Sequence, residues 1–200
     1  MASSSDPGVP ALYHAGCRAL QDTFDSRRLA DRLEERLART AFTDDDRAFI
    51  ARQDHFFLAT SDADGWPDCS YKGGVPGFVR VSGASTLEFP SYDGNGMFRS
   101  LGNLALQPRV GLLFIDFEKP QRLRVLGRAT LHDDPARLAA FPGAQRVVAV
   151  EALRIFPNCP RYIHPMQRLS ISEYAPREGH SAPEPAWKGF EMFRDVLPRR

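Results

Sequence analysis

The sequence predicts a mainly β, α+β domain: about six short antiparallel strands forming a closed or partly closed barrel, with flanking helices. Three observations predict it. Between residues 54 and 156, short apolar or alternating runs are separated by turn signals such as Ser61-Asp62-Ala63-Asp64-Gly65 and Ser82-Gly83-Ala84-Ser85. Helical periodicity is concentrated before residue 53 and in one later segment between strands. The strands do not alternate with long helices, which argues against a doubly wound parallel sheet and for an antiparallel barrel.

Taken in order, residues 1–25 read as a flexible leader, with residues 1–12 disordered, and residues 26–200 as one domain. Helices are expected over about 26–53. In the first, Leu29, Leu33 and Leu37 recur every four residues and Ser26 is placed to cap. That stripe is either a core cover or a dimer arm. Thr43 before Asp44, Asp45 and Asp46 marks a second helix start, with Phe49 and Ile50 as its apolar contact. Barrel strands are expected at 55–60, 67–72, 78–81, 86–89, 109–117, 122–131 and 146–156. A helix over 97–106 interrupts them, Pro108 ends it, and Asp133-Asp134-Pro135 opens a short one. The stretch 157–200 is Pro-rich and irregular.

Composition narrows the function. Lys and Arg total 26 against 25 Asp and Glu, a net charge of +1, which provides no long-range pull on nucleic acid or an anionic membrane. Neither is an expected partner. Cys17, Cys69 and Cys159 form no CxxC pair, and the five histidines have no metal-ligand spacing, so no disulfide framework or metal site is expected. The polar start lacks a secretory pattern and no apolar run approaches a membrane span; a cytoplasmic location is the expectation.

Three segments are candidates for chemistry. In Ser70-Tyr71-Lys72-Gly73-Gly74, two glycines follow a basic strand residue; they serve either a twisted hairpin loop or close backbone approach to a ligand. In Tyr92-Asp93-Gly94-Asn95-Gly96, a constrained loop feeds a helix whose first turn holds Arg99 and Ser100, with Asn103 behind. This is either an ordinary capped helix or a phosphate site, because free N–H groups and the helix dipole favour an anion there. Arg122, Arg124 and Arg128 share one strand face, either solvated or turned to an anionic ligand. No evident acid or base stands out.

The order of these segments carries a resemblance. Phe57-Leu58-Ala59-Thr60, Asp64-Gly65-Trp66-Pro67, Lys72-Gly73-Gly74-Val75-Pro76-Gly77-Phe78-Val79, Tyr92-Asp93-Gly94-Asn95, Ser100-Leu101-Gly102-Asn103-Leu104, Pro108-Arg109-Val110-Gly111-Leu112-Leu113-Phe114, Leu123-Arg124-Val125-Leu126-Gly127-Arg128-Ala129 and Asn158-Cys159-Pro160-Arg161-Tyr162-Ile163 follow one another between residues 40 and 165. This resembles the flavin-nucleotide-binding branch of the pyridoxamine 5'-phosphate oxidase-like proteins. The resemblance implies a six-stranded split barrel that forms a homodimer with FMN in clefts between subunits. It implies that Lys72 and Gly73, Tyr92 and Asn95, Arg99, Ser100 and Asn103, and Arg122 and Arg124 surround the cofactor. Ser100 stands where the oxidases have a second cation, and Arg122 where they have a glutamine. Trp187 and Lys188 do not match the oxidases' C-terminal pocket residues in spacing. The expected function is therefore an FMN-dependent oxidoreductase distinct from the oxidase itself, with a nicotinamide electron donor. The alternatives are a flavin store or sensor, or the same fold holding a deazaflavin or haem. Cys159 reads as either a small turn residue or a reactive thiol.

Overall fold

The computed structural model describes residues 9–198. Three helices come first: α1 (Ala15–Thr23), α2 (Arg27–Leu37) and α3 (Asp44–Arg52). Helix α1 lies inside the stretch expected to be a flexible leader, a correction for residues 15–23; residues 1–8 of that leader fall outside the described residues. Its start is capped by His14, whose ring accepts the Gly16 N–H at 3.2 Å. Ser26 sits at the expected cap position of α2 but makes no capping hydrogen bond. Leu29, Leu33 and Leu37 stay at the surface and only Ala30 of α2 is buried, so this helix does not cover the core.

Helix α3 follows its sequence signals closely. Thr43 accepts the Asp46 N–H at 3.2 Å, and the Asp46 carboxylate accepts the Thr43 N–H at 3.0 Å, a reciprocal capping box. Asp46 also pairs with Arg39, which exchanges two backbone hydrogen bonds with Ile155 at 3.0 and 2.7 Å. That pairing docks the helical layer onto the sheet, and Phe49 and Ile50 enter the core.

The sheet has seven strands: β1 (His55–Ser61), β2 (Pro67–Gly73), β3 (Arg80–Val81), β4 (Thr86–Tyr92), β5 (Arg109–Asp116), β6 (Gln121–His132) and β7 (Ala144–Pro157). The order is β2-β1-β5-β6-β7-β4-β3, and every pairing is antiparallel. All seven expected runs form strands, and the run at 78–81 shrinks to a two-residue strand, Arg80–Val81, against β4. The sheet stays open, with β2 and β3 at its edges. It nonetheless wraps a single core. Phe56 of β1 lies 4.9 Å from Phe89 of β4, although three strands separate β1 and β4 in the sheet; Phe78 and Phe114 complete the group at 5.9 and 5.2 Å from Phe56. This is the split-barrel arrangement, mainly β with flanking helices. Each of these rings contributes about 2–3 kcal/mol by leaving water.

Two shorter helices punctuate the sheet. Helix α4 (Arg99–Leu106) connects β4 to β5, and α5 (Pro135–Ala139), capped by Asp134, connects β6 to β7. The helix expected over 97–106 starts two residues late, because Phe98 takes a left-handed conformation (φ 49°) as the N-cap. After β7 the chain runs irregularly to residue 198, apart from two short 3-10 turns at Ala186–Gly189 and Glu191–Phe193. Among the described residues no helix is long and apolar enough to cross a membrane.

Candidate functional site

Strands β1 and β2 pair with Phe56 opposite Lys72, Leu58 opposite Ser70 and Thr60 opposite Asp68. The same sheet face is therefore apolar core on β1 and polar on the edge strand β2. Helix α4 closes this polar strip with its first turn. The Lys72 amine reaches Ser100 Oγ at 3.3 Å, and Ser100 Oγ lies 2.9 Å from Ser70 Oγ. Ser100 is buried, and burial lowers the Lys72 amine below its ordinary value, with Asp68 opposing the shift. Asp68 is engaged by Arg99 at 3.3 Å instead. One turn further on, the Asn103 amide donates to the buried Thr60 hydroxyl at 3.0 Å and ties α4 to β1.

The start of α4 has no side-chain cap. Ser100, in its first turn, gathers Lys72 and Ser70 at this end of the helix, where the dipole adds positive potential. The left-handed Phe98 that aims this turn costs about 1–2 kcal/mol for a residue bearing a Cβ. A desolvated amine, two hydroxyls and an uncapped helix start fit the oxygens of a phosphate group. Lys72, Arg99, Ser100 and Asn103 from the sequence reading thus come together. Ser70 and Asp68 were missed, although their alternation with Lys72 along β2 is the signal that places all three on one face.

A second feature opens beside this cluster: a cleft of about 920 Å³. Lys72, Gly73 and Tyr92 line it, together with the end of β5 and the segment 166–176. Packing requires glycine at 74, whereas at 73 the exposed Tyr71 ring could move aside. A Cβ on Gly73 would lie 2.6 Å from the Tyr71 ring, and one on Gly74 would lie 2.5 Å from Phe78. Burial raises the Tyr92 hydroxyl above its ordinary value, with Arg80 opposing. Asn95 lies in the exposed loop beyond, accepting the Met97 N–H at 3.1 Å.

A polar contact that the sequence reading did not single out lies at the border of the cleft. Asp54 and His55 border the cleft, with the Asp54 carboxylate 2.6 Å from His55 Nδ1. Arg168, from the C-terminal segment, holds the other Asp54 oxygen. The His55 ring stacks with Tyr71 and with Phe117, each at 5.6 Å between centroids. The adjacent Asp-His at a strand start was the available signal, but nothing in the sequence showed which aromatic rings would stack with it.

Arg122 and Arg124 lie apart from both features, on the outer face of β6. Arg124 donates to the Asn158 side chain, and burial followed by the charge of Arg122 lowers its guanidinium. The Arg122 Nε is buried without a hydrogen-bond partner, and neither arginine has a carboxylate partner among the described residues. Arg128 is on the same face but exposed, beyond the register shift between Leu126 and Gly127. Cys159 is exposed, and Lys188 is bound to Asp93 at 2.8 Å.

Comparison with known proteins agrees with this fold. No curated protein matches the chain. Among solved structures, HupZ of Group A Streptococcus is 19% identical, with a TM-score of 0.49 over 63% of this chain and 99% of its own. A candidate pyridoxamine 5'-phosphate oxidase of Lactobacillus delbrueckii is 26% identical, with a TM-score of 0.47 over 59% and 95%. An FMN-binding protein of Syntrophomonas wolfei is 16% identical, with a TM-score of 0.43 over 74% and 99%. With all three TM-scores below 0.5, the assignment rests on the family model described as pyridoxamine 5'-phosphate oxidase, which matches residues 42–171. That match spans the helix α3, the whole sheet, the polar cluster at α4 and most of the cleft: the chain belongs to the pyridoxamine 5'-phosphate oxidase family.

Proposed function

We propose that this protein binds FMN and works as an FMN-dependent oxidoreductase distinct from the oxidase that names its family. The observation that carries the reading is the cluster of Lys72, Ser70 and Ser100 at the uncapped start of α4. Among the described residues no carboxylate pairs with the Lys72 amine, so its charge is available to a phosphate. Ser70 and Ser100 donate hydroxyl protons to phosphate oxygens, and the first N–H groups of α4 complete the cradle. Arg99 adds a second cation once it turns from Asp68. When bound, FMN supplies two-electron chemistry, and the protein supplies binding, orientation and electrostatics. Gly73, Tyr92, Asn95 and Asn103 shape the surrounding loop and helix. Arg122 and Arg124, with no carboxylate beside them, suit the electron-rich edge of the flavin ring.

A homodimer belongs to the same reading. The outer face of β1, β5 and β6 brings together Phe57 with Leu113 and Ala59 with Gly111 in register, next to Leu126. These small and apolar side chains remain partly open. A second copy would bury them and bring its own Arg122 and Arg124 toward the interface. A nicotinamide nucleotide is the proposed electron donor, and the cytoplasm the proposed location.

The test is direct. Purified protein reconstituted with FMN should be yellow, should run at twice the 22.4 kDa chain mass, and should bleach when mixed anaerobically with NADH or NADPH. Arg99→Ala should weaken FMN binding by about 1.5–3 kcal/mol if Arg99 makes a charge-assisted phosphate contact. A protein that takes up no FMN sinks the reading. Binding without bleaching by either donor transfers it to a flavin store or sensor.

A further inference from the structure

We propose that residues 166–176 are a strap that closes the cleft, tied down by the Arg168–Asp54 ion pair, and that this tie sets how fast the flavin enters and leaves. The inference rests on the flavin reading, because the cleft shares Lys72, Gly73 and Tyr92 with the residues proposed to surround FMN.

The walls of the cleft differ in construction. One is built from sheet: Gly73 ends β2, Tyr92 ends β4, and Ile115 lies near the end of β5. Ladder hydrogen bonds hold these strands along their length. The other wall is the segment 166–176, which forms neither helix nor strand and buries only Ala175. It starts beside β5, where the Met166 N–H donates to the Phe117 carbonyl at 3.0 Å. It ends at Gly143, just before β7, where a Cβ on the glycine would lie 2.8 Å from Pro176. Between these points the backbone of 169–174 makes no hydrogen bond to the sheet among the described residues, and Leu169 is 96% exposed. So little burial and so few bonds to the body make this wall a unit that opens far more readily than the sheet unfolds.

Arg168 is the tie. Its guanidinium pairs with Asp54, the residue before β1, and its N–H donates to the Glu118 carboxylate at 3.3 Å. Burial pushes the Asp54 carboxyl up, but hydrogen bonds from His55 and Arg168 outweigh it and keep the group below the ordinary carboxylate range. Both partners are therefore charged at neutral pH. The Arg168 side chain is 43% exposed, so the pair holds the strap without locking it: losing it should shift an opening equilibrium by about fivefold. Beyond the strap, Lys188 is fixed to Asp93 at 2.8 Å, which keeps the far end in place when Arg168 lets go.

Neither Arg168 nor Asp54 is among the residues proposed to touch the cofactor. Their effect falls on passage and not on affinity. When a ligand passes only through the open state, entry and exit both scale with the open fraction, and their ratio stays constant.

Two measurements on the full-length protein test this. The first needs no flavin: thermolysin cleavage before Leu169, which requires the strap to leave the sheet. It should quicken about fivefold in Arg168→Gln and in Asp54→Asn and stay near wild type in Arg168→Lys, which keeps the charge. Cleavage within β7 reports global unfolding of a variant and separates it from strap release. The second is stopped-flow FMN fluorescence, in which association and dissociation should both quicken about fivefold in Arg168→Gln with their ratio unchanged. Equal cleavage of wild type and Arg168→Gln overturns the proposal. So does faster dissociation at an unchanged association rate, which would make Arg168 a flavin contact. A protein that shows the cleavage difference but takes up no FMN keeps the strap and loses the flavin reading.

Discussion

Strands β1 and β2 share one face of the sheet and do opposite things with it. On β1, Phe56 and Leu58 are fully buried in the aromatic centre; their register partners on β2, Lys72 and Ser70, face the start of α4. One step sideways, a single strand spacing of about 4.8 Å, takes the molecule from core to candidate site. The difference teaches where such a site is affordable: an edge strand has no second neighbour to seal it, so its inward positions can be polar and partly desolvated. The core side stabilises the fold, and the edge side sacrifices stability for a charge held ready.

The largest effect should come from the core side. Phe56→Ala removes the ring that links both ends of the sheet and should cost about 4 kcal/mol of unfolding free energy, read from the urea midpoint. A loss below about 1 kcal/mol would mean that the two ends do not share a core. Lys72→Met should do the reverse. Burial lowers its folded-state amine, so the charge opposes folding most at pH values below the folded value, and the penalty fades as pH rises through the ordinary lysine range. The variant should therefore be as stable as wild type or more stable at neutral pH, while its FMN affinity falls about tenfold to a hundredfold by fluorescence titration. Destabilisation with unchanged affinity would make Lys72 a structural residue.

Asn103→Ala lies between the two sides, because its amide holds α4 to Thr60 of β1. It should lower stability by about 1 kcal/mol and weaken FMN binding less than Lys72→Met does. The smallest effect concerns acid. Asp54 has a lowered folded-state carboxyl, so its stabilising contribution is complete above the ordinary carboxylate range and is lost as pH falls through the lower folded value. Asp54→Asn should flatten the acid limb of a stability-against-pH curve and leave the neutral region nearly unchanged. An identical acid limb in both proteins would show that the Asp54–His55–Arg168 contact contributes nothing.

The fold was legible where local chemistry decides it. Thr43 and Asp46 announce the capping box of α3, and the alternation of Arg122, Arg124 and Arg128 in β6 matches its more open face. The failures have local causes too. The apolar stripe of α2 has helical spacing whether or not anything covers it, and here Leu29 is 62% exposed. Met97 fits the period of α4, but the left-handed Phe98 cuts it off, and no residue pattern signals a positive φ on a phenylalanine. The site was half legible. Lys72, Arg99, Ser100 and Asn103 come from two segments that the fold brings together. Arg168, 114 residues from Asp54 in sequence, joins the cleft only through tertiary packing that no spacing encodes.

The central claim is that the start of α4 and the end of β2 form a phosphate cradle, and riboflavin, which is FMN without its phosphate, tests it most directly. Fluorescence titration of wild type and Lys72→Met with both ligands should show wild type preferring FMN by about tenfold to a hundredfold, with most of that preference gone in the variant. Equal affinity of wild type for FMN and riboflavin would contradict the account.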